Sequence, residues 1–233
     1  MLDRVDVLTW NVAHQIHKNP PIPETLALAL LHSDAGVVIH TEFVNDRTGV
    51  HTVQSQLGEG GYVHQVATSA PARHNHVFVA SRIPFDHGDI KPPVMDSLAD
   101  EFAQSNFLHI KLSDSPIELI GVRAPWRNPT TNRLYRRKLT EVLRPATDNR
   151  ALAVTGDLNE DPFKEAADPS ITSVTFPAAE MYSVARPKGD WSFTNHDGSR
   201  TSRIDHECEV GRDSAGHGGC GAGSPVEPAR THR

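Results

Sequence analysis

Short apolar runs rich in β-branched residues alternate with helix-forming segments along most of this chain. Val5 to Val12 (VDVLTWNV), Gly36 to Phe43 (GVVIHTEF), Tyr62 to Ser69 and His76 to Ser81 read as strands. Phe107 to Leu112 and Ile117 to Arg123 flank the turn SDSP and read as an antiparallel hairpin, and a further strand runs from Ala151 to Thr155. Helices are expected in ETLALALLHS, from Val50 to Leu57 and from Thr131 to Leu143, with two late short strands near Trp191 to Thr194 and Ile204 to Val210. Strands that are apolar almost without interruption need cover on both faces, which implies sheets with helices packed outside them. No repeat or linker divides residues 1–210, so one domain is expected there. Residues 211–233 are dense in Gly, Ala, Arg and Pro without periodicity, and read as an irregular tail.

The strands end in residues that a core accommodates badly. ALAVTGDLNEDP is apolar until Asp157 and Asn159, which lie two apart and so share one side of an extended chain. Taken alone, GDLN also suits an Asp/Asn-rich turn that satisfies its own backbone. The pattern recurs, however. LTWNV ends at Asn11, VVIHTEF carries Glu42, FVASRIP ends at Arg82, LIGVRAP ends at Arg123, and SRIDHECEV carries Arg203, Asp205 and His206. Such endings can converge on one rim of the sheets, the usual place for a site in an α/β protein.

In order, the motifs TWNV, TEF, SRIP, GDLN and SRIDH resemble those of the endonuclease/exonuclease/phosphatase superfamily, whose members are similar to deoxyribonuclease I. The resemblance runs from about Asp3 to Val210. It implies a four-layer α/β sandwich, two mixed β-sheets packed face to face with helices outside. It also implies a divalent-metal-dependent phosphoesterase, nuclease or phosphatase, that hydrolyses a phosphodiester or phosphomonoester by in-line attack of an activated water. By the same resemblance Asn11 and Glu42 hold Mg²⁺ or Mn²⁺, Asp157 activates the water, Asn159 donates to a phosphate oxygen, and Asp205 orients a histidine, with His206 the adjacent candidate. Hard oxygen ligands suit Mg²⁺ better than zinc.

Two departures stand out. The family usually carries His or Tyr where this chain has Arg123, which is expected to clamp phosphate as a fixed cation rather than to donate a proton. The Ser-x-Asp-His strand with which the family closes is also missing after Asp205. Either the natural terminal strand has been replaced, as by a change of reading frame, or the chain is a non-catalytic relative that binds phosphorylated ligands or a protein partner.

Composition narrows the partners. A net charge of −6 gives no global electrostatic case for nucleic-acid binding, although a local basic groove stays open as a reading. Only Cys208 and Cys220 are present, without metal spacing, and the start MLDRVDVLTW is unlike a signal peptide. A cytoplasmic, monomeric protein without a membrane span, acting on a phosphate-ester substrate that includes nucleic acid among its candidates, is the expectation. Four further features carry less weight. Arg133, Arg136, Arg137 and Lys138 read as a solvated helix face. His74 and His76 lack further ligands at zinc spacing. Trp126 and Arg127 suit a groove lining or a packing anchor, and Arg82 suits a structural role before Pro84.

Overall fold

The computed structural model describes residues 5–13, 21–23, 25–69, 74–95, 100–125, 129–146 and 150–159, with strand backbone at 183–184, 193–194, 201–202 and 205–210. The tail 211–233, Trp126 and Arg127 lie outside the described residues. Strand β1 (Val7–Asn11), helix α1 (Thr25–His32), strand β2 (Val37–Phe43), helix α2 (Val50–Glu59), and strands β3 (His64–Ala67) and β4 (His76–Ser81) form the first half. Strand β5 (Phe85–His87), helix α3 (Asp100–Ser105), strands β6 (Phe107–Leu112) and β7 (Ile117–Arg123), helix α4 (Pro129–Leu143) and strand β8 (Ala151–Asp157) follow. Short strands β9 (Ser183–Val184), β10 (Phe193–Thr194) and β11 (Thr201–Ser202) precede β12 (Asp205–Val210).

The strands assemble into a four-stranded sheet ordered β1-β2-β4-β3 and a six-stranded sheet ordered β5-β6-β7-β8-β12-β9, with β10 and β11 paired apart. Both large sheets are mixed: β1 runs parallel to β2 and β7 parallel to β8, while the remaining pairs are antiparallel. This is the four-layer sandwich expected from the sequence. Alternate residues on each strand divide the core into layers. Val37 and Ile39 of β2 and Val77 and Val79 of β4 meet Leu108 and Ile110 of β6 and Leu119 of β7 between the sheets. Their neighbours Val38, Phe78 and Ala80 face the opposite way, against Leu26 and Leu30 of α1 and Val53 and Leu57 of α2. On the other sheet, Ile120, Val122, Leu152 and Val154 pack under Tyr135, Leu139 and Leu143 of α4. Each such side chain contributes roughly 1.5–3 kcal/mol by leaving water.

The structure corrects the reading of α4. Arg133 and Arg137 are exposed, but Arg136 is 0% exposed, and its Nε donates to Asn132 Oδ1 at 2.7 Å. The two residues are four apart, so they stack on the inner face of the helix. In the sequence Arg136 looks like its basic neighbours Arg133 and Arg137, which do face solvent. Strand β5 and helix α3 have too few apolar residues to stand out by period, and their sequence gives no strand or helix signal. Arg82 also departs from expectation. Because β4 is antiparallel to β2, Ser81 pairs with Val37, at the beginning of β2 rather than its end. Arg82 therefore sits at the opposite pole from Glu42, where it bonds Asp34 Oδ1 at 2.8 Å and lies 4.5 Å over the Tyr62 ring. Its reading as a structural residue fits that place. Among the described residues no helix is long and apolar enough to cross a membrane.

The sheets approach closely at Gly121. A Cβ there would come within 2.7 Å of Val77 Cγ1 and 2.8 Å of Ile39 Cγ2, both on the facing sheet. Gly121→Ala is expected to destabilise the fold by roughly 1–3 kcal/mol through overpacking. Denaturant unfolding of both proteins measures this, and unchanged midpoints would contradict the close approach.

Candidate active site at the strand ends

On the faces that meet between the sheets, the strands change from apolar to polar as they approach one end. Val5 and Val7 give way to Thr9 and Asn11 in β1, and Ala153 to Thr155 and Asp157 in β8. Val37 and Ile39 give way to Thr41 in β2, and Leu119 to Gly121 and Arg123 in β7. Parallel pairing sets Asn11 beside Thr41 and Arg123 beside Asp157, so all four ends reach the same rim.

Asp157 is the centre of this rim. It is 0% exposed, and its Oδ2 accepts Asn11 Nδ2 at 2.7 Å from the facing sheet. Its Oδ1 accepts the backbone N–H of Asn159 at 2.9 Å, and its carbonyl accepts the N–H of Ala124 at 2.8 Å. Asn159 Nδ2 donates to Ala124 O at 2.8 Å, which ties the loop after β8 to the loop after β7. Asn11 Oδ1 accepts Ala13 N–H at 2.9 Å.

Glu42 and Arg123 form the second tie across the sandwich. Arg123 Nε and Nη2 both donate to Glu42 Oε1, at 2.9 and 2.7 Å, and both residues are buried. Glu42 reaches this position because the β2–β4 register shifts between His40 and Phe43 and its own φ is 55°. Five described non-glycine residues have left-handed backbone, and three of them, Ala13, Glu42 and Asn159, flank the rim. Such strain costs of order 1–3 kcal/mol per residue and persists where surrounding bonds hold it. Gly156, with φ 135°, adds a fourth unusual turn: a Cβ there would lie 2.1 Å from Val122 O.

The structure thus brings Asn11, Glu42, Arg123, Asp157 and Asn159 to one place. For Asp205 and His206 it describes backbone position: Asp205 pairs with Asp157 and His206 with Gly156, at the start of β12. Sequence reasoning missed Asn132, whose Nδ2 donates to Pro125 O at 2.8 Å and Leu158 O at 3.2 Å and so holds both loops from α4. The signal available was its four-residue spacing from Arg136. Gly156 was also missed, although a glycine just before a strand's polar ending is a known mark of unusual backbone.

The donors fit a hard divalent cation. Asn11 Oδ1 keeps a second lone pair beyond the one Ala13 uses, and the Glu42 and Asp157 carboxylates are oxygen ligands of the type Mg²⁺ and Mn²⁺ take. A cation held by Glu42 would share that carboxylate with Arg123.

A second acidic group lies elsewhere. Ligand atoms of Asp89, His109 and Glu118 come within 4.8 Å of one another. Glu118 is five residues before Arg123 on β7, roughly 16 Å from the rim along the strand. Each member is already engaged: Asp89 binds Lys111 at 2.7 Å and Arg150 at 2.6 Å, and Glu118 Oε2 binds Arg150 at 3.3 Å. His109 Nδ1 accepts Ile90 N–H at 3.0 Å, so the neutral ring carries its proton on Nε2 and donates it to Glu118 at 2.8 Å. Two cations balance two carboxylates, which makes this a structural network. Burial lowers the imidazole pKa of His109, against an opposing pull from Glu118. His76, whose Nδ1 donates to Thr68 O at 2.6 Å, is lowered by burial as well.

Both histidines thus bind protons less readily folded than unfolded. Stability is complete above about pH 6.5, where the unfolded ring is neutral, and falls as pH drops below it. The melting temperature is expected to decline from about pH 7.5 to about pH 5.5, and His109→Gln, which keeps a donor toward Glu118, should shallow that decline. Melting curves across the range decide it: an unchanged slope would show that folding leaves the ring's proton affinity unaltered, and a steeper one that the folded ring is charged.

No family model matches the sequence, and no curated protein matches it. Its fold has solved counterparts. A humanized D. rerio TDP2 with 14 mutations is 12% identical with a TM-score of 0.62, over 91% of this chain and 85% of that one. An endonuclease/exonuclease/phosphatase from Beutenbergia cavernae is 17% identical with a TM-score of 0.64, over 88% of this chain and 64% of that one. The 3′-5′ exonuclease NExo from Neisseria meningitidis is 17% identical with a TM-score of 0.57, over 88% and 86%. The likeness to these structures shows that the chain shares their fold, the deoxyribonuclease I-like α/β sandwich of two mixed sheets packed face to face with helices outside.

Proposed function

We propose that this chain is a divalent-metal-dependent phosphoesterase that hydrolyses a phosphodiester or phosphomonoester. The observation that carries the reading is the meeting of Asn11 and Asp157 at 2.7 Å beside the Glu42–Arg123 pair, four side chains from four strands at one rim. The likeness to a protein named as a 3′-5′ exonuclease supports the substrate kind, a phosphate ester with nucleic acid among the candidates.

Asn11 and Glu42 would hold Mg²⁺ or Mn²⁺, which when bound supplies electrostatic stabilisation to phosphoryl and leaving-group oxygens. Asp157 acts as the base. Its two oxygens are oriented by Asn11 and by the Asn159 N–H, which aims the carboxylate at the rim where an attacking water would be deprotonated. Asn159 spends one amide N–H on Ala124 O and has a second for a non-bridging phosphate oxygen, whose charge grows in the transition state. Arg123 brings fixed positive charge to the same oxygens. Asp205, opposite Asp157 in register, would orient a histidine, with His206 the adjacent candidate.

A binding-only relative is the second reading. The Arg123 guanidinium on Glu42 favours it, because that contact already occupies a ligand of the metal. Release of nitrophenol from bis-nitrophenyl phosphate separates the two. Turnover is expected with Mg²⁺ or Mn²⁺, to stop with a chelator, and to fall about 10²–10⁴-fold in Asp157→Ala. Equal, negligible release from both proteins would leave the binding reading standing.

A further inference from the structure

Arg123 and Glu42 make a buried ion pair across the two sheets. Both guanidinium bonds, from Nε and Nη2, land on the single oxygen Oε1 rather than one on each oxygen. The side chains are 7% and 12% exposed, so water screens the pair little. Glu42 cannot easily withdraw, because its backbone is fixed in the left-handed region at a shift of register. Arg123 ends a long side chain with several free torsions, so it is the partner able to move.

Charge bookkeeping sharpens the point. Glu42 and Asp157 bring two carboxylates to the rim, and Arg123 brings one full positive charge to the carboxylate that a metal would use. A dication on Glu42 would then stand within a few ångströms of a guanidinium, in a setting where like charges repel strongly. A buried carboxylate stripped of its partner is costly in its own right. Arginine and metal thus answer the same need of Glu42.

Resting on the metal-site reading above, we propose that Arg123 is the resting counter-cation of Glu42 and competes directly with the divalent metal, so that metal binding requires the guanidinium to leave Glu42 for the phosphate of the substrate. It follows that the free protein binds metal weakly and that Arg123 tunes the affinity.

The test is titration of the full chain with Mn²⁺ alone, read by electron paramagnetic resonance or calorimetry, without substrate or turnover. Arg123→Gln is expected to bind Mn²⁺ about tenfold more tightly than the wild type or better. Arg123→Lys, which keeps the charge, should stay near the wild-type affinity, and Glu42→Gln should lose the binding. In thermal melts Arg123→Gln should be less stable than wild type without metal and recover with Mn²⁺, as a substitute cation reaches Glu42. If Arg123→Gln does not fold even with Mn²⁺, Arg123→Leu, which carries neither a charge nor a metal ligand, makes the same comparison with the same expectation. Equal or weaker Mn²⁺ binding in the uncharged variants, with Glu42→Gln still abolishing it, overturns the competition and leaves the metal site intact. Absence of Mn²⁺ binding in every protein overturns the metal site and the competition with it.

Discussion

The hydrogen bond from Asn11 to Asp157 joins the two sheets at the rim, where the facing ends of β1 and β8 are polar. Below it the space between the sheets is filled by Val, Ile and Leu, and a carboxylate there would be desolvated without compensation. At the rim the same burial is tolerated because Asp157 receives one donor from the opposite sheet and one from its own loop. A carboxylate that is buried yet bonded on both oxygens is held in one orientation. That is the property a base aimed at a small target needs.

The second tie, Arg123 to Glu42, obeys a different balance. A buried pair of this kind adds little net stability, since desolvation of both charges offsets their attraction. Its effect is on specificity of structure: each partner is committed while the other stays in place. The left-handed turns at Ala13, Glu42 and Asn159 point the same way. Three of the left-handed residues lie at the rim, while the core strands keep regular geometry.

Much of this was legible in the residues. The alternation within β1, β2, β7 and β8 marks which side chains enter the core, and the polar endings Asn11, Glu42, Arg123 and Asp157 mark the rim. What the sequence could not convey is direction. SRIP looks like GDLN as an ending, yet β4 runs against β2, and Arg82 goes to the far pole. Pairing between Arg123 and Glu42 was equally hidden, because the residues are 81 apart and strand patterns do not specify side-chain partners across a sandwich. Arg136 was misread for a related reason. A basic residue on the inner face of a helix looks like its solvated neighbours until Asn132 is seen to receive it.

Asn132 has a mechanical consequence. One amide group grips Pro125 O and Leu158 O, carbonyls that follow Arg123 and Asp157 respectively, and it is itself locked by a buried guanidinium inside α4. The two arms of the rim on this sheet, already joined to each other through Ala124, are therefore anchored to α4 by one amide. Any sliding of α4 over the sheet would carry them in concert, and the spacing between the two arms would stay constant.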